Sequence, residues 1–90
     1  MAQSKEKIRK KVLEFTYTVI FEPAEEGGYV VRVPSLNNAV TQGDTLEEAH
    51  QWAKDLILSI LSASIDHGRP IPREQGEIAG EKMTVQLAIV

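Results

Sequence analysis

From Leu13 onward the chain alternates with period two. Leu13, Phe15, Tyr17, Val19 and Phe21 are apolar or aromatic, and Glu14, Thr16, Thr18, Ile20 and Glu22 stand between them. Successive side chains of a strand point to opposite faces, so this stretch specifies a strand with one apolar face that something must cover. A later segment supplies the cover. Leu46, Ala49, Ala53, Leu56, Ile57, Ile60 and Ser64 recur at helical spacing, flanked by Trp52 and Leu61. They predict a helix from about Leu46 to His67. Neither a one-faced sheet nor a one-striped helix buries its apolar side alone, so the two belong in one packed unit.

The remaining elements follow from local signals. Pro23 through Gly28 stops the first strand, because proline lacks a ladder donor and the two glycines permit positive φ. Tyr29, Val31 and Val33 then resume the alternation, as the second arm of an antiparallel hairpin. Pro34 to Asn38 is a loop in which the asparagines tolerate the left-handed conformation. A short third strand is expected from about Ala39 to Gln42, broken by Gly43. The helix start carries two capping-box options, Thr45 with Glu48 or Asp44 with Glu47. Gly68, Pro70 and Pro72 stop the helix. Residues 69–81 read as a polar connection, and Met83, Val85, Leu87 and Ile89 as a last strand. The expected architecture is α+β, in the order β-β-β-α-β, with an antiparallel sheet and one long helix on one face.

Ninety residues bound this to one domain with a small core, which favours oligomerisation. The composition, 42% hydrophobic and 26% charged, is that of a globular chain rather than a disordered one. With no cysteine, disulfides, thiolate metal ligands and a thiol nucleophile are excluded. No apolar run is long enough for a membrane-spanning helix, and the polar, basic N-terminus is unlike a secretory signal, so a cytoplasmic location is expected. The net charge of −3 is unevenly spread. Residues 1–11 carry five basic side chains against one acidic (+4); residues 12–90 carry five against twelve (−7). The chain thus divides into a basic arm, 1–11, and an acidic domain, 12–90. An acidic body repels phosphate backbones and suits a basic protein partner.

Candidate catalytic groups do not assemble. Glu22, Glu25 and Glu26 lie at a hairpin tip, and Asp44, Glu47 and Glu48 at a helix start, where solvation and capping account for them. His50 and His67 are far apart on one helix, so they share no metal, and His50 lies beside the apolar stripe as a packed or rim residue. No serine has a placed base. Gly27-Gly28 leads into a strand, not into the helix N-terminus that a phosphate loop needs. No catalytic residue, metal site or cofactor is expected. Trp52 is either core or the anchor of an interface, where tryptophan is enriched. Ile20, Val30 and Ala88 point away from the helix-covered face, and open strand edges invite pairing with another chain. A homodimer or tetramer is expected.

Tyr17-Thr18-Val19-Ile20-Phe21-Glu22-Pro23, then Glu25-Glu26-Gly27-Gly28-Tyr29-Val30-Val31, Val33-Pro34 and Thr41-Gln42-Gly43-Asp44-Thr45-Leu46-Glu47-Glu48-Ala49 together resemble the HicB-like antitoxin family. Gly68-Arg69-Pro70-Ile71-Pro72 is similar to the family's segment after the helix. The resemblance covers about residues 15–72. It implies a partial ribonuclease-H-like fold and a non-enzymatic role, the neutralising of a small basic HicA-type toxin that cleaves mRNA. The family loop that often reads Pro-Asp-Leu-Pro-Gly-Cys is here Pro34-Ser35-Leu36-Asn37-Asn38-Ala39. Many members carry a DNA-binding domain after the last strand. This chain reads to Val90 on that strand, so direct DNA binding is not expected. On this reading Glu22, Glu25, Glu26, Asp44, Glu47, Glu48 and Trp52 are the candidate partner-binding residues. The alternative is an orphan oligomeric interaction domain with no toxin.

Overall fold

The long first strand organises the molecule by sharing its two halves between different neighbours. The computed structural model describes residues 11–89. It comprises β1 (Lys11–Pro23), β2 (Tyr29–Val33), β3 (Ala39–Gly43), α1 (Leu46–Asp66) and β4 (Glu81–Ile89). The sheet order is β3-β2-β1-β4, and every neighbouring pair is antiparallel. β4 pairs with Lys11 to Val19, whereas β2 pairs with Ile20 to Pro23. The α+β architecture expected from the alternation is the one observed. Of the expected basic arm, residues 1–10 lie outside the described residues, and Lys11 is already the first residue of β1.

Both ends of this offset have a local cause. Continuing the β1–β2 register would set Pro34 opposite Thr18, and proline has no N–H to give the ladder. Continuing the β1–β4 register would set Gly80 opposite Ile20. Gly80 instead has φ +152 and turns the chain away behind the sheet, where a Cβ would stand 2.6 Å from the Thr18 methyl.

The core is the odd-numbered face of β1 packed on the helix. Phe15, Tyr17, Val19, Val31, Val33 and Val85 meet Ala49, Ala53, Ile57 and Leu61. Burying each large aliphatic contributes roughly 1.5–3 kcal/mol. The buried stripe corrects the expected one. It is an i, i+4 row, which runs oblique to the helix axis and so crosses the sheet at an angle. Leu61, expected at the flank, is therefore buried, whereas Leu46, expected in the stripe, is 45% exposed. Leu56, Ile60 and Ser64 are half-buried.

Gly43 was expected to break β3 but is its last residue, paired with Tyr29. It is buried because the helix starts directly on top of it. A Cβ there would lie 2.6 Å from the Ala49 nitrogen. Gly28, at φ +78, abuts the Gly43 carbonyl in turn. The Gly-Gly-Tyr turn and the Gly-Asp-Thr helix start, distant in sequence, are thus one packing corner.

Of the two capping options the structure takes Thr45, whose hydroxyl accepts from the Glu48 amide at 3.0 Å. The Glu48 carboxylate reaches back to the Asp44 amide at 2.7 Å. At the other end His67 is the cap and Gly68, at φ +65, follows it. Gly68 donates to Ile65 and Arg69 to Ser64, the paired bonds of a Schellman motif. Asn37 and Asn38 take the left-handed conformation in the β2–β3 loop, as expected.

Candidate functional site

The offset leaves two stretches of β1 with a strand on one side only. Residues 11–19 have no strand of the described residues on the β2 side, and residues 20–23 have none on the β4 side. Each open half-edge lines a groove.

At the N-terminal half-edge the groove has a volume of about 310 Å³ and is lined by Glu14, Phe15, Thr16, Tyr17, Arg73 and Glu74. Its inner end is closed by the 69–80 connection, expected to be merely polar. Tyr17 donates its hydroxyl to the Pro72 carbonyl at 2.6 Å, and burial pushes the Tyr17 phenol above its ordinary range. Arg73 lies 5.6 Å from the centre of the Phe15 ring, a cation–π contact. Glu74 then takes the place of the missing strand. Its Oε1 accepts from the Thr18 amide at 2.7 Å and from Ser35 at 3.0 Å. Its Oε2 accepts from the Thr18 hydroxyl at 2.6 Å and from Lys82 at 3.1 Å. Burial alone would raise the Glu74 pKa. The bonds from Thr18, Lys82 and Ser35 outweigh it and hold the carboxyl at about 2. Thr18, assigned by its parity to the open face of the sheet, is consequently 0% exposed.

The C-terminal half-edge differs in character. Its groove, about 420 Å³, is lined by Val19, Ile20, Phe21, Pro23, Tyr29, Leu46, Gly80 and Glu81. His50 stacks on Phe21, with ring centres 4.3 Å apart. Its Nδ1 is 2.8 Å from the Leu46 carbonyl and its Nε2 is 2.8 Å from Glu81. Both partners are acceptors, so the ring is best satisfied as an imidazolium. The Leu46 carbonyl raises the His50 pKa most, burial opposes it, and Glu81 adds a further upward pull that leaves it raised. This histidine is the rim residue the sequence suggested.

The expected partner-binding residues fall into two groups. The close approach of Gly28 to Gly43 and Asp44 sets the turn carrying Glu25 and Glu26 beside the helix start carrying Asp44, Glu47 and Glu48. These five carboxylates share one end of the sheet and are exposed. Glu22 belongs to the same end and lies 3.5 Å from Arg32. Trp52 does not join them. It is 48% exposed, hence not core. At 100° per residue it lies on the helix flank opposite His50 and Glu81. The sequence reading missed Phe21, Leu46, His50 and Glu81 as a group. The signal was thin, a leucine at the first helical position and a histidine four residues later. Among the described residues, no group of three or more His, Asp or Glu is placed to hold a metal ion. Among the described residues, no helix is long and apolar enough to cross a membrane.

The sequence has known relatives. A family model described as a HicB-like antitoxin of bacterial toxin–antitoxin systems matches residues 16–90. The chain is 37% identical over 73 residues to antitoxin HicB 1 of Photorhabdus laumondii, covering 81% of this chain and 46% of that protein. It is 39% identical over 56 residues to antitoxin HicB of Escherichia coli K12, covering 62% of this chain and 41% of that protein. A UPF0150 protein of Thermoplasma acidophilum is 41% identical over 61 residues, covering 68% of this chain and 88% of that protein. The chain therefore spans less than half the length of the two antitoxins but most of the UPF0150 protein. The matched region takes in β2, β3, α1, β4 and the part of β1 that carries both Glu74-capped Thr18 and the apolar groove, and the chain belongs to the HicB-like antitoxin family.

Proposed function

We propose that the protein is a non-enzymatic binding module that neutralises a small basic toxin of the HicA type by covering its active or RNA-binding face. The observation that carries this reading is the juxtaposition of an apolar groove with an acidic rim. The C-terminal half-edge offers apolar area on a stretch of β1 that β4 does not pair, and Glu22, Glu25, Glu26, Asp44, Glu47 and Glu48 lie at that end of the sheet. Apolar area supplies affinity, and the carboxylates speed encounter with a positive partner and reject negative ones. The module works in the cytoplasm and as a homo-oligomer, since a small core with open strand edges gains from self-association.

The test is a tagged pull-down from the native host at moderate salt, followed by an RNA-cleavage assay on the captured partner. A stoichiometric small basic protein whose RNA cleavage the chain suppresses supports the reading. Recovery of the chain alone, under conditions that retain a weak control complex, overturns it. That outcome leaves a second reading, an oligomeric interaction domain without a toxin.

A further inference from the structure

β3 is the outer strand of the sheet, and no strand of the described residues lies beyond it. The ladder fixes which of its backbone groups face outward. The Thr18 amide points to the β2 side of β1, toward Glu74. Backbone groups alternate sides along a strand, so those of Ile20 and Glu22 also point to β2, opposite Arg32 and Val30. Val31 then serves Thr41, and the amides and carbonyls of Val40 and Gln42 point out of the sheet. Natural edges are ordinarily blunted by a charge, a proline or a bulge. Ala39–Gly43 contains neither charge nor proline, and its register with β2 runs without a bulge.

Exposed hydrophobic side chains bracket this edge. Val40 is 55% exposed on the open face of the sheet, and Trp52 is 48% exposed on the helix. His50 reaches Glu81 of β4, so the opposite flank of α1, which carries Trp52, is the one on the β3 side. Ala49 sits on Gly43, and Trp52 lies three residues on, about 4.5 Å farther along the helix. Trp52, Leu56, Ser59 and Ala63 share this flank at helical spacing, and none is charged. Edge and flank together form an uncharged band on a domain whose residues 12–90 carry five basic against twelve acidic side chains.

We propose that this band is the surface on which a second copy of the chain docks. Two β3 strands pair antiparallel about a two-fold axis at Thr41, joining two four-stranded sheets into one with both helices on the same face. This rests on the self-association in the functional reading and assigns a surface to it. Charge selects the occupant. Two copies of net −7 repel over most of their surface and can approach where charge is absent. A basic partner is drawn instead to the carboxylates at the end of the sheet. Geometry selects it as well, because a two-fold axis sets two like strands antiparallel and makes the edge complementary to itself. The axis at Thr41 uses every outward group, pairing Val40 with the other copy's Gln42 and placing two threonines, a favourable cross-strand pair, at the centre. An axis at Gln42 would draw Asp44 and the helix start into the ladder. An axis at Val40 would set Gln42 against Asn38, which has positive φ.

The chain has no cysteine and a single tryptophan, so one introduced thiol and the native emission each report on one position. Residues opposite one another in a non-hydrogen-bonded antiparallel pair have Cα atoms about 4.5 Å apart, within the roughly 4.4–6.8 Å that a disulfide spans. Thr41→Cys and, as a control at the hairpin tip, Glu25→Cys are oxidised mildly. Sedimentation equilibrium is run on the unmodified chain and on Gln42→Pro, which removes one outward N–H and leaves the β2 ladder intact. The expected result is a dimer that crosslinks at Thr41 and not at Glu25, with Trp52 emission shifting to the blue as concentration drives association. Gln42→Pro should weaken the dimer by about tenfold or more, since each copy loses an edge bond. A monomer at every concentration overturns the proposal together with self-association itself. An oligomer with no crosslink at Thr41, or with Trp52 emission indifferent to concentration, overturns the surface assignment alone. Should Gln42→Pro fail to fold, the crosslink and the emission of the unmodified chain still decide. The RNA-cleavage assay on captured toxin reads a different surface, so its outcome stands apart from these.

Discussion

The two half-edges of β1 are the same backbone problem solved in opposite ways. Each leaves ladder groups without a strand. At the N-terminal half-edge a carboxylate from 56 residues away closes the first exposed amide, with four donors on two oxygens. At the C-terminal half-edge Gly80 steers β4 away and the gap is lined by Val19, Ile20, Phe21, Tyr29 and Leu46. Charge is buried and satisfied in one, and apolar area is left uncovered beside exposed charge in the other. A satisfied carboxylate stabilises the fold, whereas uncovered apolar area stabilises nothing until a partner arrives. The difference separates a structural device from the surface proposed for recognition within a single strand.

The sharpest way to break the comparison is to remove one carboxylate from each side. Glu74→Ala leaves the Thr18 amide and hydroxyl without their acceptor, and hydrogen bonds to a charged group contribute about 1.5–3 kcal/mol. At roughly 4–8 °C per kcal/mol for a domain this size, the midpoint of thermal unfolding should fall by about 6–24 °C. Glu81→Ala, on the apolar side, removes a half-exposed partner of His50 and should cost less than about 1 kcal/mol. Thermal denaturation followed by circular dichroism measures both, and an Glu81→Ala effect as large as that of Glu74→Ala would erase the distinction.

Acid titration probes the same contrast without mutation. The Glu74 pKa is depressed in the folded state to about 2 from 4.5. Its stabilisation is therefore fully present above pH 4.5 and lost as pH falls from there toward 2. The loss should amount to no more than about 3 kcal/mol. In Glu74→Ala this acid dependence should flatten. Denaturant unfolding at several pH values would show it, and an unchanged acid limb would mean that other carboxylates carry the effect.

How far these regions could be read beforehand follows from what a periodic pattern encodes. Period two tells which face a side chain takes, and Phe15, Tyr17 and Val19 are buried as their parity requires. It says nothing about which neighbour pairs with which half of a strand, so the offset that creates both grooves was invisible. Thr18 has the parity of a solvent-facing residue and is buried only because Glu74 arrives from a segment with no pattern at all. Turn and cap chemistry is local, and Thr45, Gly68, Asn37 and Asn38 behave as their residue types dictate. The helical stripe fixed the helix but not its crossing angle, which decides between Leu46 and Leu61. The acidic end was legible as charge; its apolar centre was not, because Phe21, Leu46, His50 and Glu81 meet only through tertiary packing.

The recognition side of the comparison is sharpened by charge reversal. Glu25→Lys with Glu26→Lys leaves the groove intact and inverts its rim. Association with a basic partner should slow by about tenfold at low salt and lose much of its ionic-strength dependence, because long-range charge acts mainly on the encounter. Stability should change by no more than about 0.5 kcal/mol, as for surface positions generally. Stopped-flow or surface-binding kinetics across a salt series would measure it. An unchanged association rate would detach the hairpin tip from the recognition surface.

The smallest expected effect concerns the one titrating contact in the apolar groove. His50 bridges the Leu46 carbonyl and Glu81 while stacked on Phe21, so it ties the helix start to the start of β4. Its pKa is raised in the folded state, first by the Leu46 carbonyl and then by Glu81. The sign is opposite to that of Glu74. The stabilisation is complete below the ordinary histidine value of 6.5 and is lost as pH rises through the elevated folded value. Because both side chains are a third or more exposed, solvent screens the pair, and its worth is no more than about 0.5–1 kcal/mol. NMR titration of the His50 ring should give a midpoint above that of an exposed histidine, and Glu81→Gln should lower it only in part, since the Leu46 carbonyl remains. If Glu81→Gln returned His50 fully to the ordinary value, the helix carbonyl would have no hold on the ring. The two half-edges would then both be governed by carboxylates, differing only in how deeply each is buried.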